Sequence, residues 1–249
     1  MKGVILPALL LVAWEAASHS GAVDRRLLPP LEQVLSAGDE VTGLRHIGGD
    51  LLASLQRDLA GFAAGTLCGL VFGTALGRSR LAAALLEPSF DVFKQIAIFA
   101  WVPLISMWFG AGELAKVVFV ALAAFTPVVL NTAQGVRAAP SHLIEVGHVL
   151  CLGRVQMIRR VYLPAAMPAV LTGVHLALIY AWLATVGAEY FMTTGPGIGG
   201  LIIEGRDRFA MDLVMLGLLL LGLIGFGLNR IAEFAEHCLL RWRSGSQNA

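Results

Sequence analysis

Residues 137–164 read RAAPSHLIEVGHVLCLGRVQMIRRVYLP, directly after an apolar run at 117–136 and leading into another run that extends to residue 188. The segment is basic, polar and helix-forming, yet it stands between two stretches that are long and apolar enough to cross a bilayer. A membrane protein has little reason to hold such a segment out of the lipid unless another molecule docks on it. The sequence therefore predicts two membrane-spanning helices joined by a docking loop.

The docking loop divides into two short helices. Pro140-Ser141 can open the first helix, because proline is tolerated in a first turn and serine can cap it. The apolar residues of this helix fall on one stripe, formed by Leu143, Val146, Val149 and Leu150. Gly153 allows a turn, and a second helix then begins at the level of the lipid headgroups with Arg154, Arg159 and Arg160. A helix that merely lies on the membrane surface would show the same amphipathic pattern.

Composition places the whole chain in the membrane class. Of its 249 residues, 57% are hydrophobic and 14% are charged, and the mean hydropathy is +0.76. Soluble domains carry about 25% charged residues. Helices are expected because lipid offers the backbone no hydrogen-bond partner and no barrel-type alternation is visible. We predict an all-α membrane protein with one transmembrane domain over 1–249 and about six spans, at approximately 3–19, 55–77, 91–109, 114–136, 166–190 and 211–235.

The first span has an alternative interpretation. Its apolar run is short, follows Lys2 and precedes Ser20-Gly21-Ala22, as in a secretory signal peptide. Pro7, Trp14 and Glu15 interrupt what should then be a plain apolar core. We therefore expect an uncleaved first span.

Basic residues in the loops predict the orientation, because cytoplasmic loops carry an excess of lysine and arginine. With a cytoplasmic N-terminus, ten basic residues lie inside the cell: Lys2, Arg78, Arg80, Arg137, Arg154, Arg159, Arg160, Arg230, Arg241 and Arg243. Five lie outside, where acidic residues dilute them: Arg25, Arg26, Arg45, Arg206 and Arg208. Both termini and the docking loop are then predicted to be cytoplasmic.

Sequence motifs for catalysis or nucleotide binding are missing. No lysine stands in a GxxxxGK[ST] frame, and neither HExxH nor GxSxG occurs. Cys68, Cys151 and Cys238 show no pairing rhythm and no CxxC, which argues against a disulfide framework or a zinc site. The scattered arginines do not form a nucleic-acid footprint. We therefore predict no catalytic residue, no metal site and no cofactor in this chain.

Glycines recur at every fourth position of the second span: Gly61, Gly65, Gly69, Gly73 and Gly77. This spacing places them on one slowly winding stripe that another helix can approach closely. The stripe indicates either static helix packing or a surface that slides during transport, and static packing is the simpler interpretation.

Several stretches together resemble the permease subunits of ABC importers for sulfonates, taurine, nitrate or bicarbonate. They are AWVPLISMWFGAG at 100–112, FTPVVLNTAQG at 125–135, the loop from Glu145 to Pro164, and GAEYFMTTGPGIGGL at 187–201. Trp14-Glu15 and 27–30 (LLPP) are similar to that family's N-terminal region. The spacing of 145–147 (EVG) from Leu163-Pro164 resembles the family's EAA loop, a cytoplasmic helix pair that seats in a groove of a separate ATPase subunit.

The resemblance implies a type I ABC-importer permease in a bacterial inner membrane. It also implies a homodimeric pore, two ATPase subunits that hold ATP and Mg, and a periplasmic solute-binding protein. A heterodimer with a similar partner fits the same pattern. The coupling-loop residues implied by the family are Ser141, Glu145, Val146, Gly147, His148, Cys151, Leu152, Gly153, Arg154, Leu163 and Pro164.

The chain departs from the family pattern at a few positions. Val146 replaces the middle alanine of the EAA motif, and Gly147 occupies a small-residue position at a helix-propensity cost of about 1 kcal/mol. Cys151 stands where a glycine is usual. The region before Trp101 keeps a basic residue, Lys94, but lacks the prolines that normally follow it.

Polar and aromatic residues at membrane depth are candidates for a translocation pathway, because burying polar groups in lipid is expensive. The candidates are Trp101, Asn131, His175, Tyr180, Trp182 and Glu189. For Asn131 and His175 the alternative is an interhelical hydrogen bond. Glu189 is expected near the outer surface, as a gate or salt-bridging residue. Lys94 either attracts a passing anion or extends to the inner headgroups.

We therefore predict a permease subunit that moves a small anion by alternating access. Pro164 and Pro168 would stiffen the junction between the docking loop and the fifth span, because proline fixes φ. The rival function is a secondary transporter or channel that works without ATP, although no internal repeat is evident. An intramembrane enzyme lacks paired catalytic groups. The segment 201–214 either docks a binding protein or forms an ordinary surface turn, and no residue identifies the solute.

Overall fold

The computed structural model of the chain describes residues 5–20, 24, 27–40, 43–192 and 195–239, and these residues form helices and turns. In chain order the helices are α1 (Ile5–His19), α2 (Leu31–Glu40), α3 (Gly43–Arg78), α4 (Arg80–Gln95), α5 (Val102–Phe109), α6 (Glu113–Arg137), α7 (Ser141–Val149), α8 (Arg154–Met157), α9 (Leu163–Phe191), α10 (Ile198–Asp207) and α11 (Met211–Leu239). A 3₁₀-helix covers Ile98–Trp101 and a π-helix covers Ile158–Tyr162.

The chain divides into two compact units. The first unit comprises Met1–Leu55 and Thr193–Ile224, and the second comprises Gln56–Met192 and Gly225–Ala249. Helices α3 and α11 each contribute residues to both units.

In the first unit, the end of α1 is tied to the start of α2. The Trp14 indole N–H donates a hydrogen bond of 3.0 Å to the carbonyl oxygen of Pro29. The Leu31 amide donates to a Glu15 carboxylate oxygen, also at 3.0 Å. Glu15 thereby satisfies one of the amides that a helix start leaves unpaired. The structure thus joins the Trp14-Glu15 pair to the 27–30 (LLPP) segment.

The first unit also fixes the start of α10 with side chains from α3. Asp50 Oδ1 accepts a hydrogen bond of 3.0 Å from the Gly197 amide, and Ser54 Oγ accepts one of 3.1 Å from the Ile198 amide. Buried Ala37, Leu201 and Leu213 form the apolar core of this unit.

The second unit is organised around α6, which packs along α9 in the antiparallel sense. Gly135 of α6 lies against Ala166 and Ala169, whereas Asn131, one turn earlier, lies against Gly173. Four alanines of α9 belong to the buried core on this helix: Ala177, Ala181, Ala184 and Ala188. Small residues allow the two backbones to come close, which is how helices associate in lipid.

The glycine stripe of α3 packs on a second face of α6. A Cβ atom on Gly61, Gly69, Gly73 or Gly77 would lie only 2.6–2.8 Å from the Cβ atom of Val120, Val128, Thr132 or Val136, respectively. Each glycine therefore faces the residue 59 positions later, a constant offset that makes α3 and α6 parallel. The contact runs from Gly61 to Gly77, about 24 Å along the helix axis at 1.5 Å per residue.

The predicted span 91–109 is not one straight helix. Taken together, α4, the 3₁₀-helix and α5 are long and apolar enough for one membrane span. The helix axis, however, bends by 96° at a break of a few residues between them. The break falls at Ile96 and Ala97, whose ψ values of 123° and 131° are extended. Pro103 then fits the first turn of α5, where its missing amide costs no hydrogen bond.

Within the described part of the chain, four helices are long and apolar enough to cross a membrane: Ile47–Arg78, Glu113–Arg137, Val155–Phe191 and Met211–Cys238. The bent α4–α5 pair raises the number to five. Helix α1 has 15 described residues, about 22 Å at 1.5 Å per residue, and residues 3 and 4 of the predicted first span lie outside the described part. The six-span count therefore stays a prediction.

The α3–α6 contact predicts that one methyl group on the glycine stripe destabilises the protein. We expect Gly65→Ala to lower the free energy of unfolding by about 1–3 kcal/mol, the usual effect of overpacking, because its Cβ would meet the Ala121 carbonyl oxygen and the Ala124 side chain. Thermal unfolding of the detergent-solubilised protein, followed by circular dichroism, measures the change.

Gly49→Ala is the matched control, since Gly49 also lies on α3 but a methyl group added there would have nothing within 4 Å. It should keep or raise the unfolding temperature, because alanine favours helix by about 1 kcal/mol over glycine. Equal effects of the two substitutions would show that the stripe does not pack against α6.

Candidate functional site

Helix α7 and the turn after it form a closed local unit. The helix begins after Pro140, whose carbonyl oxygen accepts hydrogen bonds from the Leu143 and Ile144 amides at 3.1 and 3.3 Å. It ends with the paired bonds of a Schellman motif: Leu152 N–H to Gly147 O at 3.0 Å and Cys151 N–H to His148 O at 2.9 Å. The carbonyl groups at the helix end are therefore satisfied without an outside partner.

Cys151 adopts the left-handed backbone conformation in this turn, with φ of 50°. Glycine is favoured at such a position because it has no Cβ to strain. The sequence predicted the turn at Gly153, but the left-handed residue lies two positions earlier.

Gly147 allows α7 to lie directly against α8. This glycine is buried, and an added Cβ would lie 2.7 Å from Met157 Sδ. The cost of glycine within a helix is thus offset by contact between the two helices of the docking loop. Ser141 and Arg154 begin α7 and α8, while their side chains lie outside the described part of the structure.

The chain continues from α8 into α9 through the π-helix. The Leu163 amide donates to the Ile158 carbonyl oxygen, five residues back. Pro164 follows at the second position of α9 and has no amide to donate to residue 160. A widened turn accommodates this missing bond and the proline ring. The helical path therefore runs from Val155 to Phe191 as one candidate span.

The predicted apolar stripe of α7 faces away from the rest of the second unit. Val146, Val149 and Leu150 are 52%, 82% and 66% exposed. Glu145 and His148 are exposed at the side of this stripe. A contiguous apolar surface on a nine-residue helix can bind either another protein or lipid.

Three of the six predicted pathway residues line one cavity in the second unit. Trp101, Asn131 and Tyr180 face a cavity of about 570 Å³ between the α4–α5 break, α6 and α9. Lys94 lines the same cavity, and its Nζ lies 2.7 Å from Asp91 Oδ1. The cavity wall is otherwise largely apolar.

The other three predicted pathway residues lie elsewhere in the second unit. His175 makes interhelical hydrogen bonds, at 2.8 Å to Asn229 Oδ1 and 3.1 Å to Glu236 Oε2. Trp182 is buried, and its indole nitrogen would lie 2.9 Å from a Cβ on Gly225. Glu189 is buried and forms an ion pair with Arg57.

A buried charge cluster, formed by Arg57, Asp58, Glu113, Lys116 and Glu189, surrounds that ion pair. Arg57 donates two hydrogen bonds of 2.8 Å to the Glu113 carboxylate. Lys116 Nζ lies 3.5 Å from Glu113 Oε1, and Asp58 accepts a 3.2 Å hydrogen bond from Thr185. The Arg57 and Lys116 side chains are each 1% exposed, whereas Glu113 is 58% exposed. The cluster thus has one carboxylate at the surface and the remaining charges beneath it.

Four members of this cluster were not among the residues predicted from the sequence, although they lie at the ends of two predicted spans. Arg57 and Asp58 directly precede the run at 59–77, and Glu113 and Lys116 directly precede the run at 117–136. Charges at corresponding ends of neighbouring helices are close in space, and charges that leave water need partners. The charged residues at the starts of these two predicted spans were therefore the feature of the sequence that could have indicated the cluster.

Comparison with known proteins places these features in context. A family model described as binding-protein-dependent transport system inner membrane component matches residues 65–241. The chain is 33% identical to SsuC of Bacillus subtilis, a permease protein named for aliphatic sulfonate transport, over 98% of this chain and 88% of the relative. It is 30% identical to the bicarbonate transport system permease protein CmpB of Synechococcus elongatus over 97% and 91% of the two chains, and 29% identical to the taurine transport system permease protein TauC of Escherichia coli over 96% and 89%.

A solved structure shares the fold. An inward-facing structure of the MetNI methionine ABC transporter superposes with a TM-score of 0.58 at 18% identity, covering 76% of this chain and 96% of that chain. At this identity the likeness concerns the fold alone.

The buried charge cluster predicts a large effect of removing one partner. We expect Arg57→Met to lower the free energy of unfolding by about 3–5 kcal/mol, the usual result of breaking a buried ion pair, because the Glu189 carboxylate loses its guanidinium partner. Arg57→Met/Glu189→Leu should recover part of the loss. Thermal unfolding in detergent compares the variants.

Arg230→Met serves as the control, since Arg230 is 65% exposed and pairs with Glu233 one turn away. Exposed pairs contribute about 0–1 kcal/mol. A loss in Arg57→Met no larger than in this control would show that the cluster does not stabilise the fold.

Proposed function

The chain belongs to the family of binding-protein-dependent transport system inner membrane components, and on that premise we propose that it moves a small oxyanion through the membrane by alternating access, driven by a separate ATPase. It is a permease subunit of an ABC importer. The observation that supports the ATP-driven mechanism best is the exposed apolar face of α7, which is formed by Leu143, Val146, Val149 and Leu150.

Docking of an ATPase subunit on the α7 face would explain why apolar side chains and a carboxylate are exposed there. The face offers branched apolar side chains beside the exposed carboxylate of Glu145. A protein groove can bury such an amphipathic helix through its apolar positions.

Rigid contacts connect the α7 face to the pathway. Helix α7 packs on Met157 through Gly147, and the helical path from Val155 reaches Tyr180 in the cavity wall without a gap. A displacement of α7 therefore moves the start of α9. We infer that ATP binding draws the docking loops of two permease copies together and opens the pore outward, and that hydrolysis resets it.

The proposed topology puts both termini and α7 in the cytoplasm. Ten basic residues then lie inside against five outside. Within the second unit, the α7 end of the bundle and the buried charge cluster lie at opposite ends of α6. The cluster accordingly lies at the outer end, where Glu189 joins Arg57 as the salt-bridging residue.

The solute is proposed from the relatives' names and the cavity's chemistry. Sulfonate, taurine, nitrate and bicarbonate all present negatively charged oxygen atoms. In the cavity, Lys94 supplies a cation that is paired with Asp91. The Tyr180 hydroxyl and the second N–H of the Asn131 amide, whose first N–H donates to the Pro127 carbonyl oxygen, supply hydrogen-bond donors. The proposed partners are a second copy of the chain, ATPase subunits that hold ATP and Mg, and a periplasmic solute-binding protein.

An ATP-independent secondary transporter or channel is the rival function. Such a protein would not need the α7 face, and uptake would persist without an ATPase subunit. Reconstitution of the permease with and without that subunit in proteoliposomes separates the two functions.

The α7 face yields a direct prediction. We expect Val149→Asp to abolish retention of the ATPase subunit during affinity purification, because burying an unpaired carboxylate in an apolar interface is unfavourable. The thermal unfolding temperature should not change, since Val149 is 82% exposed.

Phe209→Asp is the control for this experiment. Phe209 is 85% exposed and lies in a segment that the proposed topology places outside the cell. It should retain the ATPase subunit fully. Normal retention by Val149→Asp would contradict docking on α7.

The cavity yields a second prediction about solvent access. In a variant with Cys68, Cys151 and Cys238 changed to serine, we expect Tyr180→Cys to react with a charged thiol reagent, because Tyr180 lines a cavity proposed to hold water. Leu223→Cys, in the middle of α11 and 68% exposed on an apolar helix, should stay unreactive in liposomes. Mass spectrometry measures the labelling, and equal reactivity at both positions would argue against the pathway.

A further inference from the structure

A second cavity, of about 510 Å³, lies beside α7 in the second unit. Its wall is built where several elements meet: the end of α3, the start of α4, the end of α6, α7 and the π-helix. This cavity is separate from the proposed pathway, because the two share no lining residue. We call it the basic cavity.

Positive charge dominates the described lining of the basic cavity. It contains three arginines, Arg78, Arg80 and Arg137, and one acidic residue, Glu87. Arg137 is already engaged: it donates two hydrogen bonds of 2.9 Å to Glu87 and one of 3.2 Å to the Leu76 carbonyl oxygen. The charges of Arg137 and Glu87 neutralise each other. The net positive charge of the described lining therefore comes from two residues, Arg78 and Arg80.

Arg78 is held in the cavity wall by an aromatic ring. Its guanidinium carbon lies 5.0 Å from the centre of the Tyr162 ring, which is cation–π geometry. A guanidinium stacked on a ring keeps its N–H groups in one plane, and these remain available to an acceptor at the edge. Arg80 occupies the first position of α4, where the helix dipole disfavours a cation. Helix stability therefore does not account for Arg80.

We propose that the basic cavity binds a phosphate group, carried either by an anionic lipid headgroup or by a free cytoplasmic phosphate compound. Arginine is the side chain best suited to bind phosphate oxygens in pairs. The two guanidinium groups of Arg78 and Arg80 can neutralise the one or two negative charges of a phosphate group, and the volume leaves room for the group that carries it.

An occupant of the basic cavity would touch both parts of the docking loop. Ile144 of α7 and Tyr162 of the π-helix both line the cavity. A phosphate held by Arg78 and Arg80 would thus restrain the segment 141–162 against the junction of α3 and α4. The cytoplasmic source of the ligand rests on the proposed function, whereas binding itself requires only the purified chain.

The test measures hydrogen exchange in the full-length chain in micelles of dodecyl maltoside, a detergent that carries no phosphate group. One arm adds inorganic phosphate at constant ionic strength set with chloride, and the other adds phosphatidylglycerol to the micelles. We expect slower exchange across 141–162 in at least one arm. Slowing by inorganic phosphate identifies a free phosphate ligand, and slowing by phosphatidylglycerol alone identifies a lipid headgroup.

The decisive variant is Arg78→Gln/Arg80→Gln. It should weaken the effective ligand's binding by about ten-fold or more, the factor expected when a charge-assisted hydrogen bond is lost. Arg206→Gln/Arg208→Gln is the matched control, since it removes two exposed arginines from the first unit and should bind as the wild type does.

Glu87→Gln distinguishes binding from a structural role, because it removes the only acidic group from the described lining and should tighten binding. The proposal is overturned if neither arm slows exchange, or if the Arg78→Gln/Arg80→Gln variant responds as the wild type does. The assay contains no ATPase subunit, so failure of α7 docking would not produce either result.

Discussion

The second unit depends on how closely its helices approach one another. Helix α6 is in backbone-level contact with α3 on one face and with α9 on a second face, through Gly61–Gly77 and through Gly135 and Gly173. Lipid provides no hydrophobic force between helices, so such close contact must supply much of the association. The constant offset of 59 residues between α3 and α6 also fixes their register, since any slip would drive side chains into the glycine positions.

Close approach in turn explains why the charges at one end of these helices are paired. Helices this near each other leave little space for water between their ends, so Arg57 and Glu189 must compensate each other. Buried ion pairs contribute little net stability, but separating them is very unfavourable. A rearrangement during transport is therefore expected to move these ends of α3 and α9 together, with Glu113 at the surface as the contact that solvent can most readily replace.

The sequence predicted features that are visible within one segment and missed most of those that require knowing which helices are neighbours. Apolar runs and the four-residue glycine spacing are properties of a single segment, and they indicated the long helices and a close-contact stripe. The bend at Ile96–Ala97 has no proline of its own and arises from two extended residues between helices. Arg57 was overlooked because its importance comes from Glu113 and Glu189, far along the chain.

The docking loop likewise combines features that the sequence predicted with features that only the structure shows. Its internal contacts also allow it to move as one body. Its helix–turn–helix form followed from the sequence, but the turn's geometry depends on the paired hydrogen bonds that place Cys151, and not Gly153, in the left-handed conformation. Because those bonds satisfy the end of α7 internally, α7 can be displaced without exposing unpaired carbonyl groups. Gly147 then holds it against Met157, and the π-helix absorbs the missing amide of Pro164 without interrupting the helical path. A displacement at α7 consequently reaches α9 through packed atoms, which is the physical requirement for coupling an ATPase to a membrane pathway.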